Sequence, residues 1–491
     1  MTKKTNWMKS LLVGAVAVPL LAACVQNPAT GKSEFTLMSP SQEAAIGKEN
    51  HAKILEQFGG AYDDPAVGGY VATVGGRVAA KSELPANQFH FTVLDSPVVN
   101  AFALPGGYVY VTRGLMALAK DEAELASVLG HEIGHVTARH GAQRQTRSTL
   151  IGLLAVGVSA AAGNQAVSQV AGLAGQYFIA SYSREQEFQA DDLGLRYISR
   201  TPMDPYGSPR FLQRLGDHSE LQQRIAGADG RSSMADFFAT HPSSPDRVRR
   251  ATGKAQNIAQ PGQKAKGQGA YYNAIDGMIF GDSREQGFIR SKQFLHPIMK
   301  LAFKVPDGFT MMNSSAAVQA RHDSGQAIIQ FDGAKMPAHG SLRRFLVEDW
   351  GKGVEVKQVE SIRINGMRAE TGAVTTTQNG QAVTHRLVAI HYGGDRIYRL
   401  HMMAPQEQFN SFADGFQRTT YSFRKLSDRE AADLKPYRLR IVTVKRGQTV
   451  TGLARQMPHD TFKVERFRVL NGLGPNDTLQ AGQKVKLVTE R

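Results

Sequence analysis

Residues 128–137, VLGHEIGHVT, carry two histidines four apart with a glutamate directly after the first. On a helix, positions i and i+4 share a face, so His131 and His135 would aim two imidazoles at one point beside Glu132. Val128 and Ala138 fall on the same stripe, so the histidines sit on a face that also builds the core. A divalent ion is the partner that two such imidazoles can share. The surrounding DEAELASVLGHEIGHVTARHG supplies the helix, with Asp121 as N-cap, Glu124 three residues on and Gly141 as the expected stop.

A catalytic zinc takes three protein ligands and keeps one position for water. In the extended pattern HExxHxxGxxH the third ligand would fall at position 141, which is Gly141; Ala138 stands where the pattern needs glycine, and His140 is one residue out of step. The remaining source is a carboxylate on a second helix. SYSREQEFQADDLGLRYISR, residues 181–200, offers one: Ser183 caps it, and Glu187, Ala190, Asp191 and Gly194 share a face of carboxylates and small residues. Small residues admit a close neighbour, and a carboxylate there needs a cation to offset its desolvation. Glu187 is therefore the expected third ligand, and Asp191, one turn on, the group that orients a ligating histidine. Glu185 points elsewhere.

The N-terminus limits where this chemistry takes place. Lys3, Lys4 and Lys9 precede an apolar run from Leu11 to Ala23, too short for a comfortable membrane span and suited to a secretory signal. Leu21-Ala22-Ala23-Cys24 resembles a bacterial lipobox, which implies a signal peptide over residues 1–24 and a lipid on Cys24, the one cysteine of the chain. Val25 after it implies sorting to the outer membrane, and a single cysteine excludes an internal disulfide. The net charge of +15 is spread along the chain. In an exported protein it suits anionic envelope surfaces rather than nucleic acid.

With 491 residues the chain has room for several domains. The first, over residues 25–250, ends at a stretch rich in Gly, Gln, Ala and Lys, residues 251–270, read as a linker. Residues 271–430 read as an α+β domain with no catalytic constellation: alternating strands turn at Asn365-Gly366 and near Gly393-Gly394, and SLRRFLVEDWG and PQEQFNSFADGFQRT read as helices. His385, His391 and His401 lie in strand patterns and are assigned packing or surface roles. Residues 437–491 give strand, helix, helix, strand. The fold class is thus multidomain α+β: a mainly helical metal-binding domain, an α+β middle domain and a small βααβ C-terminal domain.

Two resemblances sharpen this reading. HEIGH followed by Ser183-Arg184-x-x-Glu187-x-x-Ala190-Asp191 resembles the gluzincin-type HExxH metallopeptidase family of the CAAX prenyl endopeptidases, heat-shock membrane proteases, mitochondrial stress proteases and periplasmic proteases of outer-membrane protein assembly. The likeness covers about residues 40–250 and includes NAFALPGGYVYVTRGLM, a strand and turn suited to binding substrate backbone by strand addition. Membrane-spanning relatives carry helices between the two motifs; here the insert at 150–180 is interrupted by Gly, Asn and Gln and reads as amphipathic helices. ATHPSSPDRVRR resembles the family's His-Pro segment, which implies that His241 approaches the metal as a reversible fourth ligand or, with Arg247, stabilises an oxyanion; a His-Pro turn opening a helix accounts for the residues equally well. Residues 437–491 resemble a LysM module, through Val444–Thr449, Leu470–Leu473 and Gly482–Val485, with Gln448 where the family usually has aspartate. That implies peptidoglycan as a partner.

Together these imply one Zn2+ per chain on His131, His135 and Glu187, with Glu132 as general base, and a periplasmic endopeptidase acting on unfolded or misassembled envelope proteins. Hydrolysis of peptidoglycan cross-link peptides and a wall-tethered assembly factor with a latent zinc site are the alternatives.

Overall fold

The computed structural model describes residues 23–161, 181–226, 237, 241–242, 245–378 and 380–490. The proposed signal segment before Ala23 and the insert from 162 to 180 lie outside them. Among the described residues no helix is long and apolar enough to cross a membrane.

The first unit is organised around helix α4, Glu122–Thr137, in which every residue but Val136 is buried. Asp121 caps it, its side chain accepting from Glu124 N at 2.9 Å. Around it pack α2 (Pro65–Ala79), α6 (Arg184–Ser199) and α7 (Gly207–Ala226). The contact with α6 is made through small residues. A Cβ on Gly194 would come within 2.8 Å of His131 N, and one on Gly134 within 2.9 Å of the Ala190 carbonyl. The two backbones touch because nothing stands between them.

Helix α4 stops earlier than Gly141. Ala138 is its C-cap, Arg139 turns into the left-handed region with φ 55°, and α5 begins at His140. The reason lies far away in sequence: Arg139 donates to Glu43 of helix α1 (Pro40–Gln57) and to the Met38 carbonyl at 2.7 Å, a buried anchor that fixes the turn. Strands β1 (Ala23–Gln26) and β2 (Ser33–Thr36) form a hairpin over the same end. There Asn27 donates to the Ala138 carbonyl at 3.1 Å. A three-stranded sheet of order β3 (His90–Leu94), β5 (Tyr108–Thr112) and β4 (Ala101–Leu104) lies against α4. Among the described residues no strand pairs with the outer edge of β4.

The stretch 251–270 is not a linker. Helix α8, Pro245–Ile258, runs through it with Ala251 and Ala255 buried one turn apart. The loop that follows is tied to the first unit: Ala265 N donates to the Pro202 carbonyl, and Ala123 N to the Lys266 carbonyl. Alternating small apolar residues in a polar context pack as a helix here, which the bulk composition hides. The middle domain also begins later than residue 271. Tyr271, Tyr272 and Ile275 belong to the core of the first unit, and Ile279–Phe280 pairs with Tyr437–Thr443 of the C-terminal unit.

The middle domain proper holds a seven-stranded antiparallel sheet, in the order 309–313, 318–322, 328–335, 396–405, 381–393, 367–378 and 357–364. Asn365 and Gly366, with φ 46° and 82°, make its two-residue hairpin turn. Val388 and Leu400 face one hydrophobic cluster and Leu387 and Ala389 another, so the sheet is covered on both faces. His385 and His401 bond each other at 2.9 Å within it.

The C-terminal unit has the expected order, strand Tyr437–Thr443, helices Val450–Ala454 and Lys463–Asn471, strand Lys484–Thr489. Its core is continuous with that of the first unit: Val450, Phe467 and Val485 join the same cluster as Leu115 and Leu125. Lys486 fixes the joint. It is fully buried, and its ammonium donates to the carbonyls of Ala117, Leu118 and Ala119 at 2.6, 3.0 and 2.8 Å, at the C-terminal end of α3 (Arg113–Leu118). Burial presses this amine well below the usual lysine range, and its N–H donors satisfy the otherwise unpaired carbonyls at the helix end. Lys486→Met would orphan three buried acceptors and is expected to cost about 2–4 kcal/mol. Chemical denaturation should show a lower midpoint for the first unit and the C-terminal unit together, not for the C-terminal unit alone.

Candidate metal centre

The two helices in backbone contact place their functional side chains at one point. His131 Nε2 lies 3.0 Å from His135 Nε2. Glu187 Oε1, from α6, lies 3.4 Å from His135 Nε2. His241 completes the group, its Nδ1 at 2.9 Å from Glu187 Oε1 and 3.3 Å from His131 Nε2. All four residues are buried and offer donor atoms within 4.8 Å of one another.

These atoms suit a tetrahedral ion. For ligand distances of roughly 2.0–2.1 Å, a tetrahedron has edges of about 3.3 Å. The measured separations fall around that value. Three imidazole nitrogens and a carboxylate are a zinc-type donor set, and four such groups turned inward in a buried site repel or strand one another unless a cation joins them.

The surroundings set each donor's tautomer. His131 Nδ1 faces Asp191 Oδ1 at 2.9 Å, which holds the proton on Nδ1 and leaves Nε2 as the free lone pair. For His135 the same task falls to His140. His140 Nε2 donates to Gln189 Oε1 at 2.9 Å, so its Nδ1 accepts from His135 Nδ1 at 2.8 Å and turns the His135 Nε2 lone pair to the centre. Burial drives His140 down to about 4, so it stays neutral. Tyr182 stacks on His135 with ring centroids 3.8 Å apart, and Phe237 stacks on His241 at 4.5 Å.

The charges balance through Arg247. Its guanidinium donates to Asp191 at 2.7 and 2.8 Å and reaches Glu187 Oε2 at 2.7 Å. This corrects the expectation that it serves an oxyanion: two carboxylates and the Pro242 carbonyl take up its nitrogens. The role it fits is holding Glu187 and Asp191 in place. Burial opposes ionisation of Glu187, but His241, His131 and the hydrogen bonds outweigh it and keep the carboxyl well below its usual range. Glu132 differs. It is fully buried, neither oxygen has a hydrogen-bond partner among the described residues, and burial raises it above the ordinary carboxylate value. Its Oε1 lies 3.5 Å from His241 Nε2.

Thus the structure brings together His131, Glu132, His135, Glu187, Asp191, His241 and Arg247, all singled out in the sequence. The part played by His140 was not. Its spacing fits no ligand pattern, and only the early turn at Arg139 sends it back toward His135.

The comparisons follow from this geometry. Residues 65–255 match peptidase family M48. Residues 442–488 match the LysM domain. Among similar proteins, the beta-barrel assembly-enhancing protease of Yersinia pestis is 33% identical over 50% of this chain and 50% of its own length. That of Escherichia coli K12 is 29% identical over 51% of each. The mitochondrial metalloendopeptidase OMA1 of Schizosaccharomyces pombe is 27% identical over 50% of this chain and 71% of its own length. The chain spans about half the length of the beta-barrel assembly-enhancing proteases that it matches.

If His140 and Gln189 orient His135, then His140→Ala and Gln189→Leu should each weaken zinc affinity about 10–100-fold in a chelator competition. The surface variant Glu185→Gln on the same helix should leave it unchanged.

Proposed function

We propose that the chain is a zinc-dependent endopeptidase of the bacterial cell envelope, acting in quality control or assembly of outer-membrane or periplasmic proteins. The observation that carries this reading is the buried convergence of His131, His135, Glu187 and His241 beside Glu132, whose carboxylate accepts no hydrogen bond among the described residues. The M48 match and the names of the relatives support it.

Zinc, when bound, supplies a Lewis acid that polarises a carbonyl and acidifies a water. The remaining work belongs to the chain. The outer edge of β4, with which no strand pairs among the described residues, is the place on this reading where an extended substrate segment adds as a strand. Glu132 takes the proton from the attacking water and returns it to the leaving amine nitrogen. Asp191 and Arg247 keep the ligands oriented throughout. With zinc held by His131, His135 and Glu187, His241 would compete with water for the ion and would have to withdraw before cleavage.

The lipobox-like Leu21–Cys24 supports a periplasmic lipoprotein anchored to the outer membrane, and the LysM match supports contact with peptidoglycan. Substrates on this reading are unfolded or misassembled envelope proteins. The test compares wild type, Glu132→Gln and His241→Ala for zinc content and for cleavage of casein, with purified peptidoglycan as a parallel substrate. Equal zinc in all three is expected, with cleavage by Glu132→Gln reduced about 10²–10⁴-fold and cleavage by His241→Ala above wild type. Zinc in all three with no cleavage of either substrate would overturn the protease reading in favour of an assembly factor with a closed structural site.

A further inference from the structure

An open groove of about 720 Å3 separates the LysM unit from α7, far from the metal donors. Asp121, on its wall, is ten positions before His131, and at 1.5 Å per residue the two lie about 15 Å apart along α4. The groove is therefore not the cleavage site.

Most of its other charges are paired. Arg214 pairs with Glu124 at 2.8 Å, and Arg210 with Asp204 at 2.7 Å and Asp121 at 3.1 Å. Asp217 is hydrogen-bonded to Gln213. The rim is different. Lys120 and Lys266 from the first unit face Lys484 from the LysM unit, and none of the three ammonium groups has an ion pair or hydrogen bond among the described residues. Burial and the neighbouring cations Arg214 and Lys266 press Lys120 below the usual lysine range. Three like charges around one groove favour an anion between them. On the LysM side the wall is formed by Gly472, Leu473, Gly474 and Gln483, within the LysM match. Gly472 is left-handed, with φ 56°, and lies directly on the Arg214 guanidinium, so this wall is held firmly to the first unit.

We propose that this composite groove binds an acidic saccharide, its ring edges along the backbone of 472–474 and its carboxylate between Lys120, Lys266 and Lys484. The inference rests on reading residues 442–488 as a sugar-binding unit and extends it: two of the three cations come from the peptidase side, so an isolated LysM unit would lack the preference for acid.

The test is calorimetric titration of the full chain with two disaccharides that differ by one lactyl ether, N-acetylglucosaminyl-N-acetylmuramic acid, whose lactyl group carries one carboxylate, and diacetylchitobiose, which carries none. The acidic sugar is expected to bind at least about tenfold more tightly. Lys120→Gln, Lys266→Gln and Lys484→Gln should each weaken it about fivefold, with lysine-to-arginine variants retaining affinity. The preference should shrink as salt rises. Equal affinity for both sugars, indifferent to the lysines, would overturn the groove and leave sugar binding to another face of the LysM unit. Binding of neither would overturn both readings. Inorganic phosphate matching the acidic disaccharide would reduce the groove to a general anion site. Unchanged unfolding midpoints of the lysine variants serve as the control for folding.

Discussion

Everything at the metal centre depends on the direct backbone contact between α4 and α6. Gly134 meets Ala190 and Gly194 meets the His131 backbone, with no room for a methyl group between them. That approach brings a carboxylate of one helix within reach of two imidazoles on the other, and it does so with rigid elements rather than loops. Precision of this kind is what a metal with fixed ligand distances demands. The same contact buries Glu187 and Asp191, whose charges are tolerable only because Arg247 and the histidines surround them.

How much of this was legible in the sequence follows from distance along the chain. HEIGH and the Glu187–Asp191 face are local patterns, and helical periodicity was enough to put the side chains of each on one face. His140 was not legible, because its orientation follows from Arg139, whose conformation is fixed by Glu43 and Met38 about a hundred residues earlier. Arg247 could be placed near the site from the His-Pro segment, yet its target could not. A guanidinium serves a carboxylate pair or an oxyanion equally well until the geometry is seen. The stretch 251–270 misled for a compositional reason: Ala251 and Ala255 bury little area each, so their periodicity is faint against polar neighbours.

The C-terminal unit carries a similar lesson. Strand and helix order was readable, but its attachment was not. Lys486 looks like an ordinary strand lysine in KVKLV, and nothing local marks it as the donor to three helix carbonyls. With Ile279–Phe280 as the third strand of its sheet, the unit is built partly from chain that precedes the middle domain. It is a joined part of the first unit's core and not a bead on a flexible string, so whatever it holds is held at a fixed distance from α4.

The N-terminal hairpin sets the other boundary of the molecule. Asn27 grips the carbonyl at the end of α4, and only Val25 and Gln26 lie between it and Cys24. Were Cys24 acylated, that span would give about 10 Å of reach, comparable to the thickness of a lipid headgroup layer. Such an anchor is a hinge pin rather than a leash. Helix α4 would be held at the membrane surface at a nearly constant height and could not sweep through the space beyond, so whatever meets its histidine face would have to come to that surface or fail to leave it.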